Sequence, residues 1–328
     1  MIKTRVLYKL ETINTEEKNL SSETVVVTNG STGIGLTLAV KLAKLHANVG
    51  IWDKDEHALY NTQRFAKFNL NVNLIPFVCN MANKDDIYKA AEETKKELGR
   101  VSTVINTVTR ASEKLFMNTS DDFLESVFQS NVLSQMWLTK AFLPNMTDVN
   151  SGRFIVISSM AGHMGIHKLT DYCASNAAVI NFMMALRAEL DNEGSSGIIT
   201  TVVCPYFVKS SNLHKHTKLR LIRAVGKDDV ADKTIQAMLN NESMVFLPNL
   251  FKYQACMRWL CPNFLSKFLK NLLIKDSNSS CVSKPLVEIN PSDYISAIDD
   301  NNKTRSVCEL SNIPPIETTQ EICKNKEI

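Results

Sequence analysis

Thr24-Val25-Val26-Val27-Thr28-Asn29-Gly30-Ser31-Thr32-Gly33-Ile34-Gly35 opens as a β-branched run and breaks into a loop punctuated by three glycines. Five residues of that composition read as a buried strand. Leu36–His46, which follows, reads as a helix. Glycines between a strand and a helix let the backbone approach a pyrophosphate, and the helix start offers unpaired N–H groups and a positive dipole end. Asp53 stands eighteen residues beyond Gly35, at the end of a second β run, Asn48–Trp52. A carboxylate there can accept hydrogen bonds from both ribose hydroxyls of an adenosine and repels a further phosphate. The reading is a dinucleotide site that prefers NAD to NADP, with Gly30, Ser31, Gly33, Ile34, Gly35 and Asp53 as cofactor-binding candidates. The plainer alternative is an ordinary strand–helix turn followed by a helix N-terminal acid.

Beyond this stretch, short β runs keep alternating with longer helical ones. Val72–Val78, Thr103–Asn106, Phe154–Ile157 and Ile198–Val203 read as strands, and helices are predicted over 55–68, 84–98, 121–143, 171–193 and 228–240. That alternation predicts an α/β fold, a Rossmann-type doubly wound parallel sheet in a single domain. The chain has 328 residues, 44% hydrophobic and 22% charged, with a net charge of +3. So small a positive balance gives no support for nucleic-acid binding. The eight cysteines form no Cys-x-x-Cys pair and no metal-ligand spacing, which suits reduced, mostly buried thiols and predicts no metal. His214-Lys215-His216 lacks a third ligand and reads as a solvated lid segment. The first residues carry no apolar stretch of the signal-peptide or anchor kind, which argues against secretion.

Near residue 243 the character changes. No acidic residue occurs between Ser243 and Lys275, while Lys252, Arg258, Lys267, Lys270 and Lys275 are basic. Phe264, Leu265, Phe268, Leu269, Leu272 and Leu273 would form an apolar stripe beside a lysine face if the segment is helical. Two readings stay open, a helix lying on a membrane or lipid-droplet surface and a lid over the substrate pocket. The expected organisation is a polar extension over 1–22, the α/β domain over 23–248, the basic amphipathic segment over 249–275, and a disordered polar tail over 276–328.

Further residues carry a resemblance. Asp171-Tyr172-Cys173-Ala174-Ser175-Asn176 looks like the active-site helix of the short-chain dehydrogenase/reductases, and Ser159 lies thirteen residues before Tyr172. Trp137–Met146, the Asp171–Ser175 run and Val203–Val208 resemble one branch, that of epidermal retinol dehydrogenase 2 and the 17-beta-hydroxysteroid dehydrogenases of types 11 and 13. The resemblance implies an NAD-linked enzyme acting on a retinoid, steroid or other hydrophobic alcohol or ketone. It also implies a place at the cytoplasmic face of the endoplasmic reticulum or a lipid droplet, with the cytosol as alternative, and a homodimer. It implies Tyr172 as proton donor or acceptor, Ser159 as hydrogen-bond partner of the substrate oxygen, and Asn131 as the anchor of a proton-relay water. Asn80, Asn106, Pro205, Val208 and Ser210 are carried over with Tyr172 as cofactor contacts, Ser210 standing where the family usually has a threonine.

Four positions depart from the family pattern. Asn29 replaces the first loop glycine, Asn80 replaces an aspartate, and Val108-Thr109 replaces Ala-Gly beside the cofactor. Asn176 stands where the family has its catalytic lysine. An ammonium about 5 Å from the phenol, at an effective dielectric of ~20, favours the tyrosinate by roughly 3 kcal/mol, or about 2 pKa units. Without it, Tyr172 is expected near its ordinary value of about 10, with on the order of a thousandth ionised at neutral pH. Lys168 and Arg110 are the nearby cations in sequence that could substitute. Two functions follow: an oxidoreductase slowed by Asn176, or a non-catalytic relative that binds a nucleotide or a lipid surface. His163 and His167 flank the active-site helix and read as loop polar groups rather than substrate contacts.

Overall fold

The computed structural model describes residues 20–208, 217–219, 224–251 and 274–276. The β-branched run leads: β1 (Thr24–Thr28) is followed by α1 (Gly33–Lys44), β2 (Asn48–Asp53), α2 (Glu56–Asn69), β3 (Leu74–Val78), α3 (Lys84–Leu98) and β4 (Thr103–Asn106). The second half holds α4 (Asp121–Phe128), α5 (Ser134–Thr147), β5 (Gly152–Ile157), α6 (Thr170–Asn192), β6 (Ile198–Pro205), β7 (Thr217–Leu219), α7 (Lys227–Asn240), β8 (Met244–Leu247) and β9 (Ile274–Asp276). Seven strands form one parallel sheet in the order β3-β2-β1-β4-β5-β6-β8.

Side chains alternate across this sheet as a strand requires. Val25 and Val27 pack with Leu38 and Leu42 of α1 and Val230 of α7, while Val26 joins Phe142, Phe154 and Val179 on the other face. Both faces are therefore covered, which is why the strands read as continuous apolar runs. Trp52 is fully buried and donates to Thr94 Oγ1 at 3.0 Å.

Three details differ from the sequence reading. The predicted helix over 121–143 is broken by a π-helical turn at Gln129–Leu133 and continues to Thr147. Met244–Leu247, outside the runs predicted as strands, is the seventh strand and pairs with Val202–Pro205. Leu20, three residues ahead of the predicted domain start, is buried and donates its backbone N–H to Leu45.

Of the basic segment, Phe251 is buried and Lys275 lies in β9, which pairs antiparallel with β7. Residues 252–273 of that segment, the tail from 277 onward, residues 1–19, Ser210 and the His214-Lys215-His216 run lie outside the described residues.

Candidate active site

The chain order runs outward from β1 in one direction and from β4 in the other, so the switch point lies between these two strands. Ligands of open α/β sheets bind beyond the strand C-termini at such a point. Here those ends are stitched together. Thr107 donates its N–H to Thr28 Oγ1 at 3.0 Å and its hydroxyl to Thr28 O at 2.7 Å, and Thr28 Oγ1 donates to Asn106 Oδ1 at 2.8 Å.

The glycine loop has the geometry that a phosphate needs. Asn29 takes the left-handed backbone (φ 49°) and Gly33 does so too (φ 58°). A Cβ on Gly35 would sit 2.3 Å from the Asn29 carbonyl oxygen, so only glycine lets α1 start this close to β1. No acidic residue occupies the first turn of α1 and no side chain caps it, which leaves N–H groups and the dipole end available to an anion. These residues fit a pyrophosphate.

Asp53 is buried beside the loop. Its Oδ2 accepts from the Ser31 hydroxyl and, at 3.2 Å, from the Ser31 N–H, so a ribose would have to take over a bond that Ser31 now makes. Asp53, Asn80, Val108, Thr109 and Arg110 line a compartment of about 340 Å³. The Asn80 side chain turns back on its own loop and accepts from Ala82 N–H at 3.1 Å. Asn106 behaves otherwise than predicted from its position. It accepts from Thr28 and from Val108 N–H and donates to Gln135 Oε1 at 3.0 Å, so its side chain braces the strand ends and lines neither compartment.

On the other side lies a second compartment of about 220 Å³, walled by Ile34, Ile157, Met160, Ile166, Leu169 and Phe207. Ser159, Tyr172, Pro205 and Val208 also face it. The side chains of Ser159, Thr109 and Asn176 stand close enough to the Tyr172 phenol to act on its ionisation. Burial pushes its pKa above the ordinary 10, and these three partners pull it down without offsetting the burial. The sequence expectation of an ordinary phenol is thereby corrected upward. No cation figures among the groups acting on it: Arg110 is exposed and lies over the Phe123 ring at 4.5 Å.

Asn176 is buried and its amide is spent locally. Oδ1 accepts from the Ser158 hydroxyl at 2.9 Å, and Nδ2 donates to the Tyr172 carbonyl at 2.9 Å. Asn131 sits in the π turn, where such bulges often place functional side chains. Its Oδ1 accepts from Arg110 N–H at 2.7 Å, and its Nδ2 donates to Arg110 O and to Ser175 Oγ. This side chain is a brace between β4's loop and α6. His163 packs on Phe246 and near Cys204 Sγ, and His167 is exposed; neither lines a compartment. Among the described residues no group of His, Cys, Asp and Glu is arranged to hold a metal.

The sequence reading missed Asn29 and Thr107 as lining residues. It also missed Tyr206, whose ring faces the smaller compartment and stacks on Phe251 at 4.6 Å. Tyr206 precedes the predicted contact Val208 by only two residues, but nothing in its pattern separates a wall residue from core packing.

The sheet order, the loop after β1 and the placement of both compartments define a Rossmann-type α/β protein. The chain belongs to the short-chain dehydrogenase/reductase family of oxidoreductases: the family model "short chain dehydrogenase" matches residues 23–220. Short-chain dehydrogenase/reductase family 16C member 6 of Bos taurus is 35% identical over 74% of this chain and 76% of its own. The 17-beta-hydroxysteroid dehydrogenase 13 of Rattus norvegicus is 31% identical over 78% and 84%. Epidermal retinol dehydrogenase 2 of Mus musculus is 30% identical over 76% and 82%. Among solved structures, the short-chain dehydrogenase/reductase of Burkholderia phymatum in complex with NAD superposes with a TM-score of 0.64 at 20% identity, covering 73% of this chain and 93% of that one. A metagenomic short-chain oxidoreductase in complex with NADP gives a TM-score of 0.59 at 24% identity, over 69% and 97%. These two likenesses speak to the fold.

Proposed function

We propose that this chain is an oxidoreductase that uses NAD in preference to NADP and acts on a hydrophobic alcohol or ketone of retinoid, steroid or other lipid type, at a rate limited by Asn176. One observation carries the reading: the Ser159–Tyr172 pair faces an apolar-walled compartment at the sheet edge that also carries the glycine loop. The relatives' names, a 17-beta-hydroxysteroid dehydrogenase and a retinol dehydrogenase, support a steroid-like or retinoid-like substrate. Asp53 supports NAD, because a buried carboxylate disfavours a second phosphate on the ribose.

When bound, the nicotinamide supplies or accepts the hydride. Gly30, Ser31, Gly33, Ile34 and Gly35 would hold the dinucleotide, with Asp53 and Asn80 toward its adenosine half and Pro205 and Val208 toward its nicotinamide half. Ser159 donates a hydrogen bond to the substrate oxygen, and Tyr172 gives it a proton in reduction or takes one in oxidation. Asn131 fixes Arg110 and α6 around this pair. Asn176 donates to the Tyr172 carbonyl and supplies no charge to the phenol.

A second reading has its own observation. The Asn176 amide is taken up by Ser158 and the Tyr172 carbonyl, as in a packed helix, and this favours a non-catalytic relative that binds nucleotide or a lipid surface. In either reading the basic segment over 249–275 lies on the endoplasmic reticulum or a lipid droplet, or covers the pocket in a cytosolic protein. No described helix is long and apolar enough to cross a membrane. A homodimer through the helices over 121–143 and 171–193 accords with the exposed Phe128 and Met184.

The deciding experiment is calorimetric titration with NADH and NADPH, followed by turnover of lipid alcohols and ketones. Micromolar NADH binding, weaker for NADPH, with measurable turnover is expected. NADH binding with no turnover in either direction selects the non-catalytic reading, and no binding of either nucleotide up to millimolar removes the cofactor from both.

A further inference from the structure

Three aromatic rings stand on the solvent side of α2. Leu59 and Ala66 are buried and mark its inner side. Tyr60, Arg64 and Phe68 follow one another at four-residue steps, and Phe65 stands three residues before Phe68, so helical pitch gathers them on the outer side. Phe68 is 78% exposed, Phe65 54% and Tyr60 44%. Single exposed apolar residues are ordinary, but three aromatics on one helix face form a patch that calls for a partner. β3, on which α2 packs, is the edge strand of the sheet, which puts this helix at the periphery.

The charge around the rings is of one sign. Arg64 and Lys67 are exposed, and neither forms an ion pair with a described residue; Arg64 donates to Asn61 Oδ1 at 2.5 Å. The acids of the element, Asp55 at its cap and Glu56 in its first turn, lie at the other end. A second copy laid on this face would bring both pairs of cations into one contact with no carboxylate between them. An apolar layer covered by anionic headgroups meets the rings and the cations alike. We propose that the outer face of α2 docks on an anionic lipid surface. Phe65 and Phe68 enter the acyl boundary, Tyr60 sits at headgroup level, and Arg64 and Lys67 meet lipid phosphates. This face is separate in sequence from the basic segment over 249–275. Stable anchoring takes two signals, so the two act together and the loss of either lowers binding.

Full-length protein would be mixed with phosphatidylcholine vesicles with and without about 30% phosphatidylserine. Phe68→Trp places a reporter on the face itself. Its emission, after subtraction of the natural chain's, is expected to shift to the blue on the anionic vesicles and to be quenched by lipids brominated along the acyl chain. Phe65→Ser with Phe68→Ser is expected to weaken partitioning by about tenfold or more. Arg64→Gln with Lys67→Gln should weaken it by about tenfold on anionic vesicles only. All four side chains are exposed, so the unfolding midpoints should hold, and they are measured for each variant. An unshifted Phe68→Trp emission on vesicles that do bind the chain overturns the proposal and leaves the contact to the basic segment. Failure of the natural chain to partition overturns it as well. If that failure comes with a dimer in solution that Phe65→Ser with Phe68→Ser dissociates, the face belongs to a second copy instead.

Discussion

Tyr172 and Asn176 decide what this site can do. The phenol is buried, is pushed above its ordinary pKa of 10, and faces hydrogen-bond partners but no cation. Reduction uses the protonated phenol, which persists throughout the neutral range, so its rate is expected to be flat from about pH 6 to 9. Oxidation uses the tyrosinate, so its rate should climb about tenfold per pH unit with no plateau below about pH 10. A plateau below pH 8 would mean that some other group supplies the missing charge. Asn176→Lys restores a cation worth roughly 3 kcal/mol, or about 2 pKa units. Turnover should rise at least tenfold and the oxidation profile should move to lower pH by about that much. No gain, in a protein that binds NADH, would show that the asparagine is not the limiting defect. Ser159 and Tyr172 could be found in the sequence because the runs around them resemble the family's active-site motif. The approach of Thr109 to Tyr172 could not, because it brings a loop against a helix 63 residues further along the chain. The shift of the phenol was misjudged for a similar reason, since burial is a property of packed neighbours and not of the Asp171–Asn176 run.

At the scale of elements, α1 and the π turn do the positioning. A Cβ at Gly35 meets backbone oxygens of Asn29 and Thr28, which cannot step aside without parting α1 from β1, whereas a Cβ at Gly33 meets nothing and strains only the left-handed backbone. Gly35→Ala is thus expected to cost about 3 kcal/mol and Gly33→Ala about 1 kcal/mol, read from urea unfolding midpoints. The reverse order would show that the loop relaxes freely around α1. Asn131→Ala removes three hydrogen bonds and leaves the Arg110 N–H and carbonyl without that partner. A loss of about 3 kcal/mol is expected, and a loss under about 1 kcal/mol would mean that water replaces the brace. The apolar pattern predicts helix across Asp121–Leu143 because a π turn changes helical phase without changing composition. Within Gln129–Leu133 the warning is carried by Ser130 and Asn131, two polar residues at buried positions. The helix over 84–98 matches α3 residue for residue because Asn83 caps one end and Gly99 ends the other.

Across the whole molecule, the sheet could be read from its strands because both faces are buried and each strand is a near-continuous apolar run. β8 was harder: Met244–Leu247 is four residues long and half-buried in alternation, too short for a period to show. The same distinction between sheet and periphery bears on the segment after it. The chain as a whole carries a net charge of only +3, so any attraction to an anionic surface must be local. Lys252, Arg258, Lys267, Lys270 and Lys275 concentrate five positive charges with no intervening acid, in the same stretch of sequence as the apolar residues between Phe264 and Leu273. Each basic residue near an anionic membrane contributes about 1 kcal/mol, which, added to apolar burial, suffices to hold a protein at a surface. The full chain is therefore expected to float with vesicles containing 30% phosphatidylserine and to stay behind with purely phosphatidylcholine vesicles. Raising salt toward ~0.5 M should release much of it, because the screening length falls below the reach of the lysines. Lys267→Glu with Lys270→Glu should abolish flotation and leave the unfolding midpoint unchanged. If both vesicle types fail, or if the double variant floats as well as the natural chain, the segment is not a surface anchor. It would then serve as the cover of the apolar compartment, and the same double variant would show its effect in ligand affinity instead.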